Sequence, residues 1–161
     1  MTMDAIFSHI LHQAFFGGIA AAGFGILFNC PRRMIILCFA AGALALTMRT
    51  VCTDVVDLSL PEASFLAALV VAIVDRAWWQ HGHAFQGSVL AVVGCIPLVP
   101  GSLAARGVEE LFAITREGTS KGLASASTIL EILALTAITL ASIGTALAIP
   151  MLISPPRGKK S

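Results

Sequence analysis

Three stretches of the chain contain no Asp, Glu, Lys or Arg residue: Ala5–Pro31, Ala77–Ala105 and Ile132–Pro156. Each is longer than the ~20 apolar residues that an α-helix needs to cross the ~30 Å hydrocarbon core of a bilayer. Because an unpaired backbone amide in lipid is costly, continuous apolar runs of this kind predict transmembrane helices. The alternating strands of about ten residues that form an outer-membrane barrel are not the pattern here, so we expect an all-α integral membrane protein.

The composition excludes the main alternatives to a membrane protein. Only 12% of the residues are charged, 57% are hydrophobic, and the mean hydropathy is +0.90. Soluble domains carry about 25% charged residues, so a water-soluble fold is not expected. A net charge of +1 gives no basic surface for nucleic acid. The high hydrophobic content also excludes a disordered chain.

With flanking residues added to two shorter apolar blocks, the sequence predicts about five transmembrane helices in a single domain, 1–161. Pro31 ends the first helix, because proline disfavours helix at the residue before it. Within that helix Gly17, Ala21 and Gly25 lie four residues apart, a spacing that predicts a close helix–helix contact. The distribution of Lys and Arg favours an outside N-terminus and a cytoplasmic C-terminus. The predicted helices are 6–28, 34–50, 61–79, 85–115 with a break near 97–101, and 125–152.

The fourth predicted helix is interrupted by two prolines and a glycine. Pro97 and Pro100 remove two backbone donors, and Gly101 follows directly. A broken membrane helix leaves amides of its second half unpaired, and the helix dipole there favours anions. Transporters place substrate carboxylates at such breaks. We therefore expect the amides of Gly101 and Ser102 to bind a carboxylate, with Arg106 one turn further along; a kink that only shapes packing is the alternative.

Three more charged residues are candidates for the transport site. Glu131 lies inside an apolar helix, where an acid is costly, and we assign it to proton coupling; a position at headgroup level is the alternative. Arg33 and Arg49 flank the second helix. Each is expected either to add a charge-assisted bond to the substrate or to be an ordinary positive flank.

Neither a metal site nor an enzymatic site is expected. The histidines and cysteines occur at helix ends or within apolar blocks, where interfacial hydrogen bonding and packing are their expected roles. No nucleophile–base pair, phosphate loop or paired carboxylates occur at a plausible spacing, so we expect no enzyme and no cofactor. The histidines are His9, His12, His81 and His83, and the cysteines are Cys30, Cys38, Cys52 and Cys95.

Four segments together resemble the threonine/serine exporter family. They are Phe28-Asn29-Cys30-Pro31-Arg32-Arg33, Gly42 seven residues before Arg49, Ile96-Pro97-Leu98-Val99-Pro100-Gly101, and Ala148-Ile149-Pro150. The resemblance covers roughly residues 15 to 150. It is to the small-subunit type, the five-helix half of split two-component exporters, which include the bacterial succinate exporter.

The resemblance implies a multi-pass protein of the bacterial inner membrane that works with a larger membrane subunit of the same family, or with a second copy of itself. It implies export of small carboxylate-bearing metabolites, either threonine and serine or dicarboxylates such as succinate. A non-transporting assembly or scaffold subunit is the alternative. The positions carried over by motif match are Asn29, Pro31, Arg33, Arg49, Pro97, Pro100 and Gly101. Of these, Asn29 is expected to bind substrate together with Arg33, Arg49 and Gly101.

The chain departs from the family pattern at two places. Leu46 stands where relatives have a histidine, three residues before Arg49. Shortly after the break, Ala104 or Ala105 stands where relatives have an aromatic residue. If those groups contact substrate or carry protons in relatives, this chain differs in substrate or in coupling.

Overall fold

The computed structural model of the chain describes residues 3–80, 89–117 and 122–153, and all regular structure in these ranges is helical. His81, His83 and the predicted start of the fourth helix at residue 85 lie outside the described residues. The helices are α1 (Met3–Leu27), α2 (Arg32–Asp54), α3 (Leu60–Gln80), α4 (Val89–Cys95), α5 (Gly101–Glu117) and α6 (Gly122–Ile153), with a 3-10 turn at Ile96–Leu98 between α4 and α5.

Three described helices, α1, α2 and α6, are long and apolar enough to cross a membrane. A fourth crossing results if α4 and α5 form one span; their axes are inclined by 50° at the break. The helix α3 is apolar over most of its length but carries Glu62, Asp75 and Arg76. The prediction of an all-α membrane protein with a broken fourth helix is confirmed, and the predicted number of five spans is approximate.

The helices α1 and α2 run antiparallel in close contact, as the spacing of small residues predicts. A Cβ atom added to Gly42 would overlap Ala21 and would lie 2.5 Å from the carbonyl oxygen of Gly17. Further along, Gly25 faces the side chain of Cys38. Small side chains at these positions therefore allow the two backbones to approach each other.

The largest core cluster joins α2, α3, α4 and α6 around the fully buried side chain of Leu98. Half of its ten buried members are alanines, which again allow close helix packing. Gly94 packs against Ala41, and Leu98 lies in the cluster with Ala45, so α4 and the 3-10 turn run beside the middle of α2. The break after Leu98 is therefore located just past the midpoint of α2.

The helices α5 and α6 form a hairpin in which α5 packs mainly against α6. Gly107 provides the close contact, because a Cβ atom there would lie 3.2 Å from side-chain atoms of Ile132 and Leu133. The second half of α6 packs on α3, where Ser142 lies beside Pro61 in the first turn of α3. The first half of α6 thus extends beyond the start of α3 together with α5.

Candidate functional site

The break between α4 and α5 is built by its two prolines. Val99 precedes Pro100 and is extended, with φ of −61° and ψ of 125°, which is the conformation that a following proline imposes. The amide of Val99 donates to the carbonyl of Ile96 at 3.1 Å and closes the 3-10 turn that contains Pro97. After Pro100 the chain resumes an α-helix, and the carbonyl of Pro100 accepts the amide of Ala104 at 3.1 Å.

The structure corrects which backbone amides the break leaves free. The amide of Gly101 was expected to be available, but it donates to the carbonyl of Val99 at 2.8 Å. The amides of Ser102 and Leu103 follow in the first turn of α5 and have no hydrogen-bond partner among the described residues. Since the first amides of a helix have no intrahelical acceptor, these two are the donors left available at the start of α5.

Gly101 leaves the approach to these amides open. A Cβ atom placed on Gly101 would meet no atom within 4 Å, and both Gly101 and Ser102 are exposed. Pro100 beside them is buried. The start of α5 therefore has one packed side and one open side.

Arg49 reaches the break from α2. Its Nη1 atom donates to the carbonyl oxygen of Leu98 at 3.3 Å, across 49 positions of sequence. That carbonyl belongs to the last residue of the 3-10 turn, and Leu98 itself is fully buried. Arg49 thus supplies a donor to a carbonyl that the break has removed from the regular helical bonding pattern.

Arg106 and Glu131 lie on the α5–α6 hairpin. The contact between Gly107 and Ile132 places them at a similar level, one on each helix. Both side chains are exposed, and neither has a hydrogen bond or ion pair within the described residues. Arg106 is one turn after Ser102, as predicted, whereas no described contact connects Glu131 with the break.

Asn29 precedes α2 and Arg33 lies in its first turn, whereas the break lies just past the midpoint of that helix. From position 33 to position 49 the helix rises by about 24 Å, at 1.5 Å per residue. Asn29 has a positive φ of 56°, its amide donates to Ile26, and the next amide donates to Gly25. This pair of bonds is the Schellman ending of a helix, so the conformation of Asn29 ends α1. The structure does not bring Asn29 or Arg33 to the start of α5.

A contact that the sequence did not predict joins the other ends of α1 and α2. His9 Nδ1 lies 2.9 Å from the carboxylate oxygen Oδ2 of Asp54. The sequence interpretation gave His9 only an interfacial hydrogen bond, and residues 45 positions apart carry no spacing signal. Among the described residues no group of three or more His, Cys, Asp or Glu is suited to a metal ion.

The family comparison matches most of the chain. The sequence model described as "Threonine/Serine exporter, ThrE" matches residues 13–154. An uncharacterized protein of Haemophilus influenzae is 25% identical over 114 residues, which cover 71% of this chain and 38% of that protein. The chain therefore spans about two fifths of the length of this relative. No solved structure matches the chain.

Proposed function

The chain belongs to the threonine/serine exporter family, and from this premise we propose that it is a membrane subunit of an exporter that binds its substrate at the break between α4 and α5. The proposed substrates are small carboxylate-bearing metabolites, either threonine and serine or a dicarboxylate such as succinate. The observation that carries the proposal is the pair of unpaired amides at Ser102 and Leu103, on the open side of a 50° break.

A carboxylate suits this position for two reasons. The free amides donate two hydrogen bonds, and the seventeen-residue helix α5 places the positive end of its dipole at the same point. The exposed guanidinium of Arg106 one turn later adds positive charge. Charge-assisted hydrogen bonds of this type are about twice as strong as neutral ones.

Arg49 approaches the same break from α2. A guanidinium carries five N–H donors, and one of them contacts the Leu98 carbonyl. In the proposed exporter Arg49 holds the bend in place and presents its remaining donors to the substrate carboxylate. Asn29 and Arg33 lie too far away to join it in this conformation. A role of Glu131 in proton coupling stays a prediction.

The surface of the α5–α6 hairpin supports an assembly with another membrane protein. Phe112 is 63% exposed and Leu130 is 70% exposed, and each lies on a helix of this hairpin. The relative from Haemophilus influenzae is a longer chain, of which the matched part is 38%. We therefore propose that a larger subunit of the same family covers part of this surface and completes the transport pathway, with lipid covering the remainder.

Transport by Gly101→Leu tests the proposal. The new side chain has room, so it should occupy the open side of the break without disturbing the packing of α4 or α5. Gly23→Leu is the matched control, since a Cβ atom on Gly23 also meets nothing within 4 Å and lies on α1. Both variants should reach the membrane in wild-type amounts.

The assay is uptake of radiolabelled threonine, serine or succinate into inverted membrane vesicles that contain the chain and its larger partner. Gly101→Leu should abolish uptake, and Gly23→Leu should leave it unchanged. Full uptake by Gly101→Leu contradicts a substrate site at the break. Loss of the complex, rather than of substrate affinity, would support the assembly-subunit alternative.

A further inference from the structure

The contact between His9 and Asp54 joins two ionisable side chains across the α1–α2 interface. The imidazole Nδ1 donates to the carboxylate at 2.9 Å, because a carboxylate can only accept. The side chains are 43% and 23% exposed, and the pair lies between two helices that are long and apolar enough to span a membrane. Imidazole is the side chain that ordinarily changes charge between about pH 5 and pH 8.

The second ring nitrogen of His9 faces Gln13. The amide nitrogen of Gln13 lies 3.4 Å from Nε2 and presents a donor to it. In a neutral ring that donates from Nδ1 to Asp54, Nε2 is the nitrogen that accepts from this amide. When Nε2 takes a proton it becomes a donor, and the Gln13 amide must turn to present its oxygen. Protonation of His9 is thus connected to a rearrangement on α1.

Asp54 is connected in turn to the segment of α2 that contains Arg49. The Thr53 hydroxyl has one proton and three acceptors within reach: the Asp54 carboxylate at 3.0 Å, the Arg49 carbonyl at 3.1 Å and the Thr50 carbonyl at 3.1 Å. The Thr53 hydroxyl therefore connects the Asp54 carboxylate with the backbone carbonyls of Arg49 and Thr50. Arg49 itself is five positions from Asp54, about 7.5 Å along the helix axis.

We propose that His9 and Asp54 form the proton-binding site that couples a pH gradient to export, with His9 Nε2 as the atom that takes the proton. The inference rests on the proposed transport function. One proton from water converts imidazole to imidazolium and changes the net charge of the pair from −1 to zero; its return to water restores the pair. Arg49, whose guanidinium contacts the Leu98 carbonyl at the break, lies on the same helix as Asp54.

Other ionisable groups lie on the elements packed around the pair, and on α3, which packs on α2, Glu62 lies in the first turn. On α1, His12 stacks its ring against Phe16, with centroids 4.5 Å apart. On α2 the nearest charge is Arg49, and Asp57 follows in the loop after α2. The described part of α4 and the 3-10 turn carry no charged residue.

His9→Gln separates proton binding from a merely structural tether, because a glutamine amide still donates to Asp54 but does not titrate. The full chain with its partner subunit is reconstituted in liposomes, and radiolabelled threonine is measured in exchange and in accumulation driven by a pH gradient. We expect His9→Gln and Asp54→Asn to keep exchange within about twofold of wild type and to lose the stimulation by the gradient. His12→Gln is the matched control and should retain both activities.

Retention of the gradient stimulation by His9→Gln would overturn the proposal. Loss of threonine exchange together with loss of thermal stability in His9→Gln would also overturn it, because that combination indicates that His9 only holds α1 and α2 together. Loss of stimulation in Glu131→Gln, with His9→Gln unaffected, would assign the proton to Glu131 instead.

A second measurement does not depend on transport. If the wild type transports no threonine, serine or succinate in the exchange assay, the proposed function is refuted. The proton-binding role of His9 is then tested separately, by hydrogen exchange of the backbone amides of residues 101–104. After correction for the intrinsic rate of hydrogen exchange, the protection of these amides should differ between pH 5.5 and pH 7.5 in the wild type but not in His9→Gln. Equal protection at both pH values in the wild type would overturn the proton-binding role.

Discussion

Replacing Gly42 by alanine is expected to force α1 and α2 apart. The added Cβ atom would overlap Ala21 and would lie 2.5 Å from the Gly17 carbonyl oxygen, an atom of the backbone that cannot rotate away. Overpacking of a close interface costs about 1–3 kcal/mol, and alanine regains up to ~1 kcal/mol of helix propensity over glycine. The expected net loss in the free energy of unfolding is about 1–2 kcal/mol.

The assay is equilibrium unfolding of the purified chain in detergent micelles, by titration with dodecyl sulfate and detection by circular dichroism. Gly23→Ala is the matched control, because Gly23 lies on the same helix as Gly17 and an added Cβ atom there meets nothing within 4 Å. That variant should be unchanged or up to ~1 kcal/mol more stable. Equal stability of Gly42→Ala and Gly23→Ala would refute the close contact between α1 and α2.

Three further variants test the elements that position the site. Asn29→Val should lower unfolding stability by about 1–2 kcal/mol and Asn29→Gly should not, because φ is positive there; equal effects would contradict the helix-ending role. Arg49→Ala should leave the buried Leu98 carbonyl without its donor, costing about 1–3 kcal/mol, and should speed hydrogen exchange of the Val99 and Gly101 amides, whereas Arg49→Lys should not. Unchanged exchange in the alanine variant would refute that contact. Gly107→Leu should speed hydrogen exchange in α5, since its side chain displaces Ile132, and unchanged exchange would contradict the hairpin.

Much of the helical architecture follows from the sequence by simple physical rules. The charge-free runs locate the spans, and Pro31 and Pro100 mark two interruptions, because proline restricts the residue before it. The observed α1, Met3–Leu27, differs from the predicted 6–28 by one to three residues at its ends. The sequence predicts helix α3 as a span, but it carries three charged residues and is not among the three helices that are long and apolar enough to cross a membrane.

The site could be predicted only in part. The break itself follows from Pro97, Pro100 and Gly101, but the bond from the Gly101 amide to Val99 depends on the turn geometry that the chain adopts. The contact between Arg49 and the Leu98 carbonyl depends on how α4 packs on α2, which no local pattern specifies. Asn29 carried a usable signal, since asparagine is one of the residues that end helices in the left-handed conformation.

The pairing of His9 with Asp54 follows from the register in which α1 packs against α2, and this register is known only from the structure. Ala21 faces Gly42 and Gly25 faces Cys38, so each step along α1 is matched by an equal step back along α2. The same register continued to the helix ends places His9 opposite Asp54. Small residues that allow close approach therefore also fix which polar residues meet, once the packing is known.

The most direct test is to observe the two free amides at the start of α5 while a ligand is added. In the full chain labelled with 15N, threonine should shift the amide proton resonances of Ser102 and Leu103 downfield, and threoninol, which lacks the carboxylate, should not. The Val99-bonded amide of Gly101 should respond less than either. If both ligands shift Ser102 and Leu103 equally, or if threonine shifts resonances elsewhere and leaves these two unchanged, the break is not where a carboxylate binds.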